Sequence, residues 1–289
     1  MSERLFFVGP GRAGLALGYA LWQTEALEAL TYCGRQPEPP SHPLFIQGNA
    51  RYVFGLEAPE EGTTAVFLSV PDELLPEISM VLAAHGRAPS GCVAFHLSGA
   101  LGTDPLAPLV ERGYAVGTLH PLQSLADSVR GAELLPGSCF ALSGEPPAMA
   151  TGRRLLHHLG SPAVTVPVAR RPLYHAAAVM ASNFMTGLVS AASRLMVAAG
   201  VDEEDALGAI LPLTRGSLEN LEEMGPGRAL TGPVARGDVE TVRLHLRALE
   251  PRERSLYAAM GREILALARE AGLEDEVADE LHQLFERER

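Results

Sequence analysis

The stretch RLFFVGPGRAGLALG, residues Arg4–Gly18, decides the fold. Its first part, Leu5–Val8, is an apolar run typical of a strand that is buried on both faces. Behind Gly9 the apolar residues recur with a helical period, which predicts a helix directly after a tight turn. Glycines occupy the joint between strand and helix in the pattern G-x-G-x-x-G.

Each glycine of this pattern has its own physical role. Gly9 makes the turn, Gly11 lets a pyrophosphate approach the backbone, and Gly14 lets the helix pack closely on the strand. The helix N-terminus adds free N–H groups and a positive dipole end for phosphates. We therefore predict a dinucleotide site, the alternative being a glycine-rich turn without a ligand. The predicted contacts of this turn are Gly9, Pro10, Gly11, Arg12, Ala13 and Gly14.

The residues behind the second predicted strand, Ala29–Cys33, indicate which dinucleotide would bind. An NAD site would place Asp or Glu about 20 residues beyond the glycines, to hold the ribose 2′-hydroxyl. The sequence has Gly34 and Arg35 there, and no carboxylate. Because a guanidinium suits a 2′-phosphate by charge and geometry, Arg35 favours NADP over NAD. The alternative is a solvated arginine at a strand end.

Composition limits the partners and the chemistry. The formal net charge of −12 argues against nucleic acid and anionic membranes as partners and leaves a small-molecule substrate. All 23 basic residues are arginine, so no lysine can act as an acid, a base or a Schiff-base former. The 3 cysteines fit neither a disulfide framework nor a metal motif, which predicts a cytoplasmic protein without a metal site. No signal peptide is expected before the first strand.

The order of predicted elements indicates two domains. Strands alternate with helices over residues 1–169, which predicts an α/β, doubly wound, mostly parallel sheet. Residues 170–289 read as all-helical. We expect the apolar segment Pro172–Ala199 to be one buried helix rather than a membrane span. A helix break is expected at Pro212, and Asp72 is expected to cap a helix.

Ligands of open α/β sheets bind beyond the carboxyl ends of the strands. His120 is placed on a loop leaving a strand, where an imidazole could donate a proton to a carbonyl oxygen or an imine nitrogen. The alternative is that His120 is a structural loop histidine. Ser98 could likewise be only a turn residue at the end of a strand. His96 is expected to point into the sheet. The further predicted contacts here are Ser69, Val70, Pro71 and Ser98 for the cofactor, and Gln123 for the substrate.

Polar residues of the helical part are the remaining candidates. His175 and Asn183 are eight residues apart on one predicted helix, so we expect them to share a face and to need partners, either substrate or protein. Thr231 and Arg236 lie in the loop Gly225–Asp238. Arg236 could clamp a carboxylate or phosphate, or it could pair with Asp238, which is placed to cap the next helix. The catalytic candidates are thus His120, His175, Asn183 and Ser98.

The sequence resembles a family of bacterial NADP-dependent oxidoreductases that have a Rossmann-like N-terminal domain and a C-terminal domain of unknown function. The matching segments cover nearly the whole chain. They are Gly9–Gly14, Ser69–Asp72, His96–Gly99, His120–Ser124, Tyr174–Ala177 with Ser182-Asn183, and Leu230–Pro233 with Arg236–Asp238.

More distantly, the layout is similar to 6-phosphogluconate dehydrogenases, ketopantoate reductases and pyrroline-5-carboxylate reductases. That resemblance implies a cleft between the domains and a homodimer built on the helical part.

One departure separates the chain from the hydroxyacid dehydrogenases of this superfamily. Those enzymes use a lysine four residues before an asparagine, whereas Val179 stands four residues before Asn183 here. The resemblance therefore implies a reductase in which a histidine replaces the lysine, or the chemistry is imine reduction of the pyrroline type, or no such chemistry takes place. Our interpretation is an NADP(H)-dependent reductase of a small ketone, aldehyde or imine in the cleft between the domains. The alternatives are a non-catalytic NADP-binding sensor or assembly protein, and a degenerate nucleotide site.

Overall fold

The apolar run behind Arg4 forms a central strand of an eight-stranded sheet in the computed structural model, which describes residues 2–288. The strand order is β3-β2-β1-β4-β5-β6-β7-β8. The strands are β1 (Glu3–Val8), β2 (Leu27–Gly34), β3 (Arg51–Phe54), β4 (Ala65–Leu68), β5 (Val93–His96), β6 (Ala115–Pro121), β7 (Phe140–Gly144) and β8 (Ala163–Val164). Neighbours are parallel except β6 and β7, which confirms the predicted mostly parallel sheet.

Alternate residues of β1 face two separate cores. Leu5 and Phe7 pack on one face of the sheet, while Phe6 and Val8 pack on the other. Helices cover both faces, since α1, α5 and α6 contribute to the first core and α3 to the second. The apolar run without alternation is explained by this double burial. The helices of this part are α1 (Arg12–Trp22), α2 (Pro43–Ile46), α3 (Leu75–Ala84), α4 (Ala107–Val110), α5 (Ser128–Leu134), α6 (Pro146–His158) and α7 (Arg171–Val179).

The direction in which strands are added reverses beside β1. The chain proceeds from β1 to β2 and β3 on one side, and returns to place β4, β5 and β6 on the other. The ends of β1 and β4 are in register, with Val8 paired to Leu68. Such a reversal opens a crevice at the carboxyl ends of the two strands, where ligands of doubly wound sheets bind.

The chain divides into two compact units, one ending at Ser182 and the second beginning at Asn183. The second unit is all-helical, and its apolar core is formed by α11, α12 and α13. The sequence-based boundary between residues 169 and 170 stays a prediction, and its outer ends, Met1 and Arg289, lie outside the described residues. The helices of the second unit are α8 (Met185–Ala198), α9 (Glu203–Met224), α10 (Pro226–Ala229), α11 (Val239–Ala248), α12 (Pro251–Glu270) and α13 (Asp275–Glu286).

The apolar segment predicted to be a buried helix is helical but largely exposed. A π-helical turn, Met180–Phe184, joins α7 to α8, and the buried residues of the whole segment are Arg171 and Ala191. The prediction of burial was wrong because an apolar composition does not determine whether other elements of the chain pack against the helix. By length and composition Val168–Ala198 could also cross a membrane, a property that apolar helices of soluble proteins share.

Two further local predictions were wrong. α9 runs through Pro212 without a break. Pro212 is exposed, so the carbonyl that loses its helical partner can be hydrated instead. Asp72 does not cap α3, because its carboxylate accepts a hydrogen bond from Ser98 Oγ at 2.6 Å. The loop predicted at Gly225–Asp238 also contains the short helix α10.

Candidate functional site

The glycine turn is held against the end of β4. Gly9 has a φ of 94°, a conformation that residues with a Cβ rarely adopt. A Cβ on Gly9 would lie 2.8 Å from the carbonyl oxygen of Ser69, and a Cβ on Gly14 would collide with Ser69 Oγ. Ser69 Oγ itself donates to the carbonyl oxygens of Val8 and Gly9. The turn therefore needs glycine at both positions because β4 ends directly beneath it.

The first turn of α1 offers unused hydrogen-bond donors to a ligand. Gly11 is the N-cap residue and has no capping side chain, and no acidic residue stands in the first turn. Arg12 is exposed there, with Nη1 donating to the carbonyl of Ala126 at 3.3 Å. An open groove continues from this turn along the ends of β4 and β5. Its lining includes Gly11, Arg12, Ala13, Ser69, Val70, Pro71, Asp72 and Ser98.

The end of β2 carries the predicted phosphate-binding arginine. Arg35 follows the last residue of β2, is exposed, and forms no ion pair within the described part of the chain. A Cβ on Gly34 would lie 3.1 Å from Cδ of Pro10 and close to Tyr52 Oη, so Gly34 lets β2 approach the glycine turn. Arg35 is thus a free cation next to the turn that would hold a pyrophosphate.

The end of β5 is a closed hydrogen-bonded turn. His96 is fully buried, as expected from the sequence, and its Nδ1 accepts from the backbone N–H of Ser98 at 3.1 Å. Its Nε2 therefore carries the proton and donates to the carbonyl of Gly102 at 2.6 Å. Burial lowers the pKa of His96, which keeps the imidazole neutral. The role of His96 is structural, and it holds Ser98 at the mouth of the groove.

The predicted proton donor lies in a strand rather than on a loop. His120 belongs to β6 and pairs with Ala141 of the antiparallel β7, which corrects the placement from sequence. Its Nδ1 lies 2.8 Å from the hydroxyl of Tyr174 on α7, and the two rings meet edge to face. The strand therefore extends two residues further than predicted, and its pairing orients the imidazole.

Gly99 makes room for two imidazoles at the same point. A Cβ there would lie 2.8 Å from Nε2 of His120 and 2.6 Å from Nδ1 of His175. The two rings are 6.1 Å apart between centroids. Nδ1 of His175 is buried and finds no hydrogen-bond partner among residues 2–288. The structure thus brings together two of the four predicted catalytic residues, His120 and His175, beside the turn that holds Ser98.

A fully buried arginine completes this cluster. Arg171 is 0% exposed, its Nη2 donates to the carbonyl of Ser98 at 3.0 Å, and its Nε has no partner among the residues described. Arg171, Tyr174 and His175 have the spacing i, i+3, i+4, so one face of α7 presents all three to the ends of β5 and β6. We call the set of Ser98, His120, Arg171, Tyr174 and His175 the imidazole cluster.

The cluster shifts the protonation of its members. Burial, followed by the neighbouring His175 and Arg171, lowers the pKa of His120 to about 4. The carboxylate of Asp72 opposes this shift and His96 adds to it. Burial also raises the pKa of Tyr174, which Arg171 partly offsets. At neutral pH the cluster therefore holds a neutral imidazole and a neutral phenol beside one buried cation.

Arg171 and Tyr174 were not among the residues singled out from the sequence as site candidates. Their signal was present as R-x-x-Y-H at the start of the apolar helix, where three polar side chains share a face that should otherwise be apolar.

Gln123 was singled out, and its amide Nε2 donates to Ser138 Oγ at 3.1 Å while its Oε1 accepts from the N–H of Ser124. Its substrate contact stays a prediction.

The other predicted residues belong to the second unit. Asn183 is exposed on the π-helical turn, and this turn interrupts the α-helical period, so the face predicted to be shared with His175 does not follow from their spacing. Asp238 caps α11 by accepting from the N–H of Thr241 at 3.1 Å, which is the structural alternative that the sequence left open. Arg236 is exposed and forms no ion pair with Asp238. Substrate contacts of Asn183, Thr231 and Arg236 stay predictions.

Two family models match the chain. A Rossmann-like domain model matches residues 4–121, and the model of a domain of unknown function, DUF2520, matches residues 138–264. No curated protein matches the chain by sequence. Within the described residues no group of three His, Cys, Asp or Glu side chains could hold a metal ion.

Solved structures of the same fold cover almost the whole chain. Protein TM1727 from Thermotoga maritima is 24% identical over 99% of both chains, with a TM-score of 0.62. A candidate NADP oxidoreductase from Bacteroides fragilis, BF3122, is 21% identical over 91% of this chain and 98% of its own, with a TM-score of 0.72. Pyrroline carboxylate reductase from Plasmodium falciparum, with NADP bound, is 12% identical over 98% of both chains, with a TM-score of 0.60. The chain therefore joins a Rossmann-like domain to a DUF2520 domain, the combination that its sequence motifs predicted.

Proposed function

We propose that the protein is an NADP(H)-dependent oxidoreductase that reduces a small ketone, aldehyde or imine. The observation that carries the proposal is the glycine turn at the strand-order reversal, with a free helix N-terminus for the pyrophosphate and Arg35 at the end of β2. The bound NADP in the Plasmodium reductase, which has the same fold, supports this choice of cofactor. In this proposal Gly9–Gly14 hold the pyrophosphate and Arg35 holds the 2′-phosphate.

The cofactor supplies the hydride, and the protein positions the substrate and supplies a proton. Ser98 lines the groove along β4 and β5, and His120 lies beside the next residue, Gly99. His120 is the proposed proton donor, with His175 the second choice. Asn183, Gln123, Thr231 and Arg236 are proposed to orient the substrate, and a free arginine such as Arg236 suits a carboxylate or phosphate on it.

The cofactor assignment is tested by titrating the purified protein with NADPH and NADH while following nicotinamide fluorescence. Arg35→Ser should weaken NADPH binding by about 10- to 100-fold, the loss of one charge-assisted contact, and leave NADH binding unchanged. The matched control is Arg87→Ser, which removes an exposed arginine before the amino end of β5, away from the groove. If the Arg35→Ser protein bound NADPH as tightly as the wild-type protein, the proposed 2′-phosphate contact would be excluded. If the protein bound neither NADPH nor NADH, the proposed oxidoreductase function would be excluded.

A non-catalytic NADP-binding sensor or assembly protein is the second candidate. The absence of lysine favours it, because the superfamily's usual acid–base group is missing. The two candidates differ in turnover, since a sensor would bind NADPH tightly and oxidise it with no member of a broad panel of aldehydes, ketones and cyclic imines. NADPH oxidation with any member of that panel would exclude the sensor.

We further propose a soluble, cytoplasmic homodimer assembled through the helical part. α8 and α9 leave many apolar side chains uncovered, and Leu213 of α9 is 69% exposed. Contiguous exposed apolar surface on a soluble protein marks an interaction site. Light scattering should give twice the monomer mass of 30.7 kDa. A monomer at micromolar concentration would exclude this assembly.

A further inference from the structure

We propose that His120 works as the final member of a proton relay in which Tyr174 supplies the proton and Arg171 stabilises the phenolate that remains. The inference rests on the proposed reductase function and deepens it, because it assigns roles to Tyr174 and Arg171 in the reduction of ketones and aldehydes. His120 is the catalytic residue, while Tyr174 and Arg171 act through it as positioning residues.

The direction of the Tyr174–His120 hydrogen bond follows from the available partners. The Tyr174 hydroxyl lies 2.8 Å from His120 Nδ1, and no other acceptor for it is found among residues 2–288. A half-buried hydroxyl that donated to nothing would cost about 1–3 kcal/mol. In the proposed relay the hydroxyl donates to Nδ1, so the neutral imidazole carries its proton on Nε2.

Nε2 of His120 is the nitrogen from which the proposed relay delivers its proton. It lies beside Gly99, and the preceding residue, Ser98, lines the groove that runs from the glycine turn. No residue of the described chain occupies it as a hydrogen-bond partner. A Cβ on Gly99 would lie 2.8 Å from Nε2, so glycine leaves room beside this nitrogen that any other residue would fill.

Arg171 is suited to stabilise a transient phenolate. It lies one helical turn before Tyr174 on the same face of α7 and is fully buried. It forms no ion pair with any carboxylate of the described residues, and its Nε is unpartnered. A buried cation without a counter-ion is costly, so a negative charge that forms beside it is stabilised. Loss of the Tyr174 proton creates such a charge during turnover only.

The charged and titratable groups facing His120 keep it neutral between turnovers. They are His175 and Arg171 on α7, His96 at the end of β5, and Asp72, whose carboxylate opposes the others. Tyr174 is the remaining titratable neighbour. A neutral imidazole with a proton on Nε2 can donate and be reprotonated through Nδ1 in one step, which an imidazolium cannot do.

The relay balances for a carbonyl substrate. With NADPH bound, the cofactor would supply the hydride that forms a C–H bond at the carbonyl carbon, and His120 Nε2 would give its proton to the carbonyl oxygen. Nδ1 takes the proton of Tyr174 as its O–H bond breaks, and the phenolate is later reprotonated by solvent. An iminium ion already carries its proton and needs no donor during hydride transfer. The relay therefore has a role in the reduction of ketones and aldehydes that iminium substrates do not need.

Nitrogen-15 spectra of histidine-labelled protein test the relay without a known substrate. Between about pH 5 and pH 8, His120 should be neutral with its proton on Nε2, a signal identified by its loss in His120→Gln. Tyr174→Phe should convert this signal to a mixture of tautomers. The second unit offers a matched control, because Tyr257 on α12 makes the same 2.8 Å contact with Nδ1 of His245 on α11. Tyr257→Phe should leave the His120 signal unchanged.

Turnover supplies the second readout, with NADPH and a panel of aliphatic aldehydes, ketones and 1-pyrroline. Tyr174→Phe should lower kcat for carbonyls by about 10- to 100-fold with unchanged NADPH affinity, the usual size of a general-acid contribution. Arg171→Met should have a similar effect and Arg171→Lys a smaller one. A proton on Nδ1 of His120, a charged His120 at pH 7, or turnover of 1-pyrroline alone would overturn the relay. Failure to bind NADPH would instead overturn the proposed function.

Discussion

The glycine turn and the imidazole cluster are two halves of one candidate site that are built in opposite ways. The turn consists of backbone from one short stretch, Gly9–Gly14, closed by Ser69 from the neighbouring strand. The cluster consists of side chains from the turn after β5, from β6 and from α7, which lie between residues 98 and 175. Backbone recognition of phosphates is thus encoded locally, whereas proton chemistry depends on which strand ends the topology brings together. This difference predicts that a substitution can disrupt either half of the site while the other half keeps its structure.

The largest effect is expected from Gly14→Ala. The new Cβ would collide with Ser69 Oγ and displace α1 from the end of β4. We expect NADPH binding to weaken by at least about 30-fold, or about 2 kcal/mol. The control is Gly187→Ala on α8, where nothing lies within 4 Å of the added Cβ. That variant should bind NADPH normally and gain about 0.5–1 kcal/mol of stability. Unchanged NADPH affinity in Gly14→Ala would show that the turn does not hold the cofactor.

A second, smaller effect is expected in the pH dependence of stability. The folded-state pKa of His120 is about 4, below the ordinary value of about 6.5, so the unfolded chain binds a proton more readily between these values. The free energy of unfolding should therefore fall as the pH decreases from about 6.5 to about 4, by about 1–3 kcal/mol from this residue.

Urea unfolding at a series of pH values measures this contribution. His120→Gln should reduce the pH dependence, while His157→Gln, at an exposed position on α6, serves as the control for removing a histidine. NADPH affinity should be the same in both variants at neutral pH. If His120→Gln and the wild-type protein lose stability in parallel, His120 is not the buried neutral group of the cluster.

The smallest effect is expected from Gly99→Ala. Its Cβ would lie within 2.8 Å of ring nitrogens of both His120 and His175, so the imidazoles must move apart. Overpacking of this kind costs about 1–2 kcal/mol of stability. NADPH affinity, measured in the titration used for Gly14→Ala, should change by less than about threefold. A loss of binding as large as in Gly14→Ala would show that the two halves are not separable.

Much of the architecture was predictable because it depends on local patterns. The buried strands, the helices α1, α6 and α11 to α13, and the mostly parallel sheet follow from apolar runs, helical periods and turn residues. The errors have a common cause. Burial of Pro172–Ala199, a break at Pro212 and capping by Asp72 each depend on what lies next to the residue in space. Asp72, for example, has the composition of a cap, but Ser98 is within hydrogen-bonding distance.

The sequence by itself determined the dinucleotide-binding turn, since strand, glycines and helix follow one another along the chain and β2 ends at a cation instead of a carboxylate. Only the tertiary structure decided the chemistry of the second half. It placed His120 in a strand, set the Tyr174 hydroxyl 2.8 Å from its Nδ1, and buried Arg171 beneath Ser98 with no counter-ion among residues 2–288. The physical reason is that a side chain's protonation depends on burial and on neighbouring charges, and these come from residues distant in sequence.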